Sequence, residues 1–139
     1  MRLFLFVLAF AISSLAQPQA HIPEAKVFRT HLERDLRAYF ADTLQRADLA
    51  RVDFEEIRSS GNPTQTGTAL PKFYYWVRVY DLKRTKVAEG AVRAAAIERK
   101  RFEITHFIAR RRVRSEPELL QKIFPPLLHE PIYRLAEGR

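Results

Sequence analysis

The eight-residue run from Phe73 to Tyr80 constrains the fold of this chain more than any other feature. Every residue in it except Arg78 is aromatic or valine, and such side chains favour β-strands. Successive side chains of a strand lie on opposite faces of the sheet. One face therefore carries Phe73, Tyr75, Val77 and Val79. The opposite face, named here the aromatic face, carries Tyr74, Trp76, Arg78 and Tyr80.

An amphipathic helix and three further strands accompany this run in the sequence. The helix is predicted to have roughly 20 residues, and its apolar stripe consists of Phe28, Leu32, Leu36, Phe40 and Leu44. Strands are predicted near residues 52–57, with a bulge at Ile57, and over 86–97 and 101–109, with a loop at 59–68. Ser115 and Glu118 form a predicted capping box that opens a last helix, which stops before Pro125.

These elements predict an α+β fold: a long N-terminal helix packs on a four-stranded antiparallel meander, and a short C-terminal helix follows. A single domain is expected over residues 27–135. Over residues 27–110 the order of elements resembles that of cystatin-like and NTF2-like domains. The resemblance implies a pocket between helix and sheet, as in a small-molecule-binding protein or enzyme. The Gln-x-Val-x-Gly hairpin with which cystatins block proteases is absent from the sequence, so protease inhibition is not implied.

The N-terminus has the pattern of a secretory signal peptide. Arg2 precedes ten apolar residues, and Ser14 and Ala16 place small side chains at positions −3 and −1 of a cut after Ala16. We therefore expect a cleaved signal over 1–16, a flexible lead-in over 17–26, and a secreted or periplasmic protein. An uncleaved anchor or a buried N-terminal helix is the alternative. Because the chain has no cysteine, disulfides, thiol catalysis, cysteine-based zinc sites and an acylated lipoprotein are excluded.

Neighbouring strands extend both faces of the Phe73–Tyr80 strand. The helix-facing side is expected to continue with Ala88, Gly90, Val92, Ala94, Ala96, Phe102, Ile104, His106 and Ile108. The aromatic face is expected to continue with Glu89, Arg93, Glu103, Thr105 and Phe107. Aromatic side chains interleaved with charges suit a partner or ligand site. The alternative is that the apolar C-terminal segment, residues 119–133, covers this face.

The excess positive charge of the chain is concentrated in one region. The net charge is +8, and residues 83–114 contain eleven Lys and Arg against three Glu. A meander brings the turn at 81–86 and residues 110–114 to one end of the sheet, about 30 Å from the turn at 98–100. These residues are predicted to form a basic rim consisting of Lys83, Arg84, Lys86, Arg110, Arg111, Arg112 and Arg114. An ordinary solvated surface is the alternative, and residues 110–112 would also suit a processing protease.

The sequence contains no pattern of residues that identifies a catalytic or metal site. Its histidines are His21, His31, His106 and His129, and none has the spacing of a metal-binding or hydrolase motif. We expect no metal and no cofactor, and whether the chain is an enzyme stays open. If it is one, the pocket is expected between helix and sheet around His106, Tyr39 and Tyr75.

The features together predict an exported binding or accessory protein that acts by surface contact. Its expected partner is an anionic envelope polymer or an acidic protein, recognised by the basic rim with or without the aromatic face. Nucleic acid is not expected as a partner, because no nucleic-acid-binding motif is present. A membrane-active cationic protein is a further alternative, and the oligomeric state is open.

Overall fold

The computed structural model describes residues 18–59, 62–63, 65–66 and 70–139, so the predicted signal peptide lies outside the described residues. The helices are α1 (Ala25–Thr43), α2 (Arg110–Ser115), α3 (Pro117–Ile123) and α4 (His129–Glu137), with 3-10 turns at Pro18–His21 and Pro126–Leu128. The strands are β1 (Leu49–Glu56), β2 (Arg58–Ser59), β3 (Asn62–Pro63), β4 (Gln65–Thr66), β5 (Lys72–Asp81), β6 (Lys86–Ile97) and β7 (Arg101–Ala109).

The predicted α+β fold is confirmed. The main strands form an antiparallel sheet in the order β1-β5-β6-β7, which is the predicted meander. Strand β4 also pairs with β5, and β2 pairs with β3, so the described residues of the predicted 59–68 loop contain short strands. Helix α1 lies on one face of the sheet, where its stripe residues Leu32, Leu36 and Phe40 are fully buried.

A third layer covers the opposite face of the sheet. One short C-terminal helix was expected, but α2, α3 and α4 all pack there around Trp76, which is fully buried. The predicted capping box does not form. Ser115 is instead the last residue of α2, and Glu116 is the N-cap of α3 without a side-chain cap hydrogen bond. The break after Ser115 lets the chain fold back over the aromatic face.

An irregularity in the β6–β7 ladder corrects the predicted faces of β7. Arg93 pairs with His106 and Ala94 pairs with Ile104, so Thr105 is an extra residue on β7. Beyond such a bulge the alternation changes phase. Ile108 is therefore buried in the C-terminal layer, and Phe107 packs against the α1 layer. The predicted helix-facing positions of His106 and Ile108, and the predicted opposite position of Phe107, were wrong.

No bulge is needed at Ile57. Strand β1 pairs with β5 without interruption from Arg51 to Glu56, and its register shift lies between Leu49 and Arg51. Val52 and Phe54 contact the α1 layer, whereas Ile57 is buried in the C-terminal layer. From Arg51 onward, ordinary alternation places the odd-numbered residues on that side. Ile57 therefore lies on the opposite face from Val52 and Phe54 by regular alternation, without the predicted phase slip.

The lead-in to α1 contacts the turn between β6 and β7. The His21 carbonyl oxygen accepts from the Arg99 N–H at 2.9 Å, and His21 Nδ1 accepts from the Glu98 N–H at 3.1 Å. Both turn residues have positive φ, 52° at Glu98 and 62° at Arg99. In the part of the lead-in that the structure describes, His21 therefore fixes a left-handed turn to the start of the domain.

Replacing Glu98 by asparagine and Arg99 by glycine is expected to stabilise the domain. Left-handed backbone costs ordinary residues about 1 kcal/mol or more, and Asn-Gly suits two consecutive positive φ angles. The double variant should therefore raise the free energy of unfolding by about 1 kcal/mol, as measured by urea denaturation. A decrease would show that the Glu98 and Arg99 side chains contribute more than the backbone strain removes.

Candidate functional site

The basic rim consists of two segments of the chain, residues 83–86 and 110–114, at one end of the sheet. Lys83 and Arg84 lie in the β5–β6 turn, and Lys86 is the first residue of β6. The other members, Arg110, Arg111, Arg112 and Arg114, all lie on α2, which begins where β7 ends. Because Ala109 pairs with Gly90, α2 starts four residues along β6 from Lys86, about 13 Å.

Glu89 joins the two parts of the rim. Its side chain is 8% exposed and accepts from Lys86 Nζ at 2.5 Å and from Arg110 Nη1 at 3.3 Å. Arg78 Nε and Trp76 Nε1 also donate to Glu89, at 3.2 and 3.1 Å. One buried carboxylate thus orients three cations and an indole. Arg78, predicted as part of the aromatic face, belongs to this cluster.

The environment of Glu89 keeps its carboxylate ionised. Burial alone raises the pKa of this group, but hydrogen bonds from Lys86 and Trp76 and the charges of Lys86 and Arg110 outweigh burial. Together they lower the pKa to about 2. The sequence assigned Glu89 to a sheet face but not to this role, because its partners come from β5, β6 and α2. The only available signal was that Glu89 is one of three acidic residues in a strongly basic segment.

Two rim residues are also held by the C-terminal layer. Arg110 Nε and Arg114 Nη2 both donate to the carbonyl oxygen of Ala136, each at 2.7 Å, which ties α2 to α4. Arg112 forms a bidentate pair with Glu116 at 2.8–2.9 Å, and this pair lowers the pKa of Glu116. Arg112 is therefore neutralised locally, whereas Arg110 and Arg114 support the fold as well as the rim.

The β5–β6 turn presents the remaining part of the rim on a rigid support. Asp81 is 6% exposed, and its Oδ1 accepts from the N–H groups of Lys83 and Thr85, each at 2.9 Å. These bonds fix a turn whose Arg84 has a φ of 63°. Leu82, at the start of the turn, is 72% exposed. The turn therefore displays an apolar side chain next to two cations.

The rim keeps an excess of positive charge. Within the described residues, Lys86 and Arg110 share the single carboxylate of Glu89. Arg84 and Arg111 are exposed and form no ion pair among the residues that the structure describes. Such cations are free to bind an external anion without first losing an internal partner.

Much of the aromatic face is not available for binding. Tyr74 is 2% exposed and Trp76 is fully buried, because Phe124, Leu128 and the other apolar residues of the C-terminal layer cover them. Arg78 and Tyr80 remain half-buried toward the end of β5, where Arg51 lies over the Tyr80 ring at 4.4 Å. The structure thus supports the alternative in which the C-terminal segment covers this face.

The structure does not bring together the residues of the predicted catalytic pocket. His106 lies on the side of the sheet away from Tyr39 and Tyr75, and its Nδ1 is 2.8 Å from Arg93 Nη2. Burial and the charge of Arg93 lower the pKa of His106. Arg93 also donates to the carbonyl oxygen of Ile123 at 3.3 Å. This cluster attaches α3 to the sheet.

The space between α1 and the sheet, where the resemblance implied a pocket, is occupied by side chains. The Phe40 ring meets the Phe107 ring edge-on at 4.9 Å, and Phe28 meets Phe73 and Phe102 in the same way. Leu32 and Leu36 are fully buried in the same cluster. These side chains form a filled core between α1 and the sheet, in place of the implied pocket.

The described residues contain neither a membrane-spanning helix nor a cluster of metal ligands. Across the described ranges, no helix has the length and apolarity that crossing a membrane requires, and no group of three or more acidic or histidine side chains is placed to hold a metal ion. Comparison of the chain with protein-family models, with curated proteins and with solved structures found no match.

Proposed function

We propose that this chain is an exported binding domain that recognises an anionic partner through the basic rim. The export part of the proposal rests on the signal-like pattern of residues 1–16. The partner would be an acidic protein or an anionic polymer of the cell envelope. In this proposal the domain acts by binding and carries out no chemical step.

The observation that carries this proposal is the imbalance of charge around Glu89. Lys86, Arg78 and Arg110 converge on one carboxylate, and Arg84 and Arg111 add exposed cations beside them. Arginine suits bidentate binding of phosphate and carboxylate groups. The buried glutamate holds several of these cations in place before a partner arrives, so binding loses less side-chain entropy.

Removing the exposed rim charges is expected to weaken anion binding. The rim variant combines Lys83→Gln, Arg84→Gln and Arg111→Gln, all at exposed positions. Its affinity for dextran sulfate, a polyanion without a peptide backbone, should fall at least about tenfold at 0.15 M salt. Binding would be measured by isothermal titration calorimetry.

A matched variant separates rim recognition from net charge. Arg99→Gln, Lys100→Gln and Arg101→Gln remove three exposed cations at the opposite end of the sheet. This opposite-end variant should keep affinity within about threefold of the native protein. Equal weakening by both variants, or no binding by the native protein, would contradict the proposal.

A further inference from the structure

A groove runs along β6 where β7 leaves the sheet. The β6–β7 ladder ends at the Gly90–Ala109 pair, although β6 begins at Lys86. Lys86, Ala88 and Glu89 pair with β5 on one side, with Val87 at a register shift, and no described strand pairs with residues 86–89 on the other side. A cavity of about 510 Å³ follows this edge and is lined by Leu44, Phe107, residues 109–111 and β6 residues 86–89.

The two sides of this groove differ in chemistry. The β5–β6 register shifts between the Tyr80–Lys86 and Val79–Ala88 pairs, and Val87 and Ala88 both contact the α1 layer. Leu44 and Phe107 belong to that apolar side. Glu89, by contrast, binds Lys86 and Arg110 on the side of the C-terminal helices. The groove is therefore apolar on the side of α1 and cationic on the side of the C-terminal helices.

We propose that this groove binds an extended acidic peptide of a partner protein, which adds to β6 as a strand in line with β7. The proposal rests on the proposed function and specifies its partner. The side chains of a strand alternate between faces, so the peptide is expected to alternate apolar and acidic residues. Its apolar side chains would contact Leu44 and Phe107, and its carboxylates would contact Lys86 and Arg111.

Backbone pairing is the reason to favour a peptide over other anions. An unpaired strand edge offers N–H and C=O groups that only another backbone can satisfy in a regular ladder. A stretch of four β6 residues spans about 13 Å, enough for four residues of an added strand. An anionic polysaccharide or lipid would satisfy the cations but not the edge.

The probe that tests this proposal is the blocked hexapeptide Val-Glu-Val-Asp-Val-Glu. Backbone N–H groups of a strand point alternately to its two edges. Methylating the amides of residues one, three and five should therefore give a different result from methylating two, four and six. We expect one methylated isomer to lose at least tenfold in affinity and the other to bind within threefold of the parent, as measured by calorimetry with the full domain.

Single-charge variants locate the peptide. Arg111→Gln should lower the affinity for the hexapeptide at least threefold, whereas Arg101→Gln, which removes one exposed cation at the other end of the sheet, should leave it unchanged. Both residues are exposed, and neither substitution removes an ion pair among the described residues. Equal effects of the two substitutions would overturn the groove as the binding site.

The outcomes also distinguish this proposal from the proposed function. Equal binding of both methylated isomers, or of the scrambled peptide Val-Val-Val-Glu-Asp-Glu, would overturn strand addition. If dextran sulfate binding still depended on the rim in that case, the anion-binding function would stand. If neither the hexapeptide nor dextran sulfate bound through the rim, both proposals would be wrong.

Discussion

Replacing Glu89 by alanine is expected to lower the free energy of unfolding by about 3 kcal/mol at pH 7. The substitution leaves Lys86, Arg78 and Arg110 without their shared carboxylate. It also leaves the indole N–H of the fully buried Trp76 without its hydrogen-bond acceptor. Repulsion among the three cations adds to the loss. Urea denaturation followed by the fluorescence of Trp76, the only tryptophan, would measure the change.

The effect of Glu89 should depend on pH in a defined direction. Its pKa in the folded protein, about 2, is below its ordinary value of 4.5. The stabilisation from the carboxylate is therefore fully present above about pH 5 and is lost as the pH falls toward 2. The stability difference between the native protein and Glu89→Gln should shrink over that interval.

An acidic residue on another strand provides the control for Glu89. Glu103 on β7 is exposed and forms no ion pair among the described residues. Glu103→Ala should change the free energy of unfolding by less than about 0.5 kcal/mol. Similar losses for the two alanine variants would show that Glu89 does not organise the rim.

Replacing Gly90 by alanine is expected to destabilise the domain by about 3 kcal/mol. A Cβ at Gly90 would overlap the carbonyl oxygen of Ile108 and would lie 2.9 Å from the Cα of Ala109. Both obstacles are backbone atoms, so rotation of a side chain cannot relieve the overlap. The end of β7 would have to move away from β6, and α2 with its arginines would move with it. Urea denaturation measures the loss.

Gly138 is the matched glycine for this prediction. It has a φ of 81° at the end of α4, and its added Cβ would lie 3.4 Å from the Arg110 guanidinium, an ordinary contact. Gly138→Ala should therefore cost only about 1 kcal/mol, from left-handed strain. If Gly90→Ala were as mild as Gly138→Ala, the close approach of β7 to β6 would not hold the end of the sheet in place.

The elements of the fold could be predicted from local patterns, but their side-chain layers could not be predicted in full. Strands over 86–97 and 101–109 were predicted with the bounds that the structure has. The bulge at Thr105 moves His106 and Phe107 to the faces of the sheet opposite to those predicted. Nothing in the local sequence indicates this bulge, since a polar residue within a strand also fits regular alternation. The side of the sheet on which His106 lies is marked by its contact with Arg93, whose guanidinium also binds the Ile123 carbonyl oxygen of α3, and alternation along β7 alone does not reveal this contact.

The charged residues of the candidate site could be predicted from the sequence, but their contacts with Glu89 and the groove beside them could not. Counting charges placed Lys86 and Arg110 at one end of the sheet, and the structure brings both to Glu89. The groove beside them depends on β7 ending four residues short of the start of β6. That mismatch follows from where α2 begins, and α2 was not expected to be a helix.

The most direct test of rim recognition is to map the binding surface by NMR. Amide signals of the native domain would be followed while dextran sulfate is added at 0.15 M salt. If the basic rim is the binding surface, we expect the largest changes at residues 82–86 and 110–112, with small changes at residues 98–101. Equal changes at the two ends of the sheet, or the largest changes at 98–101, would contradict rim recognition.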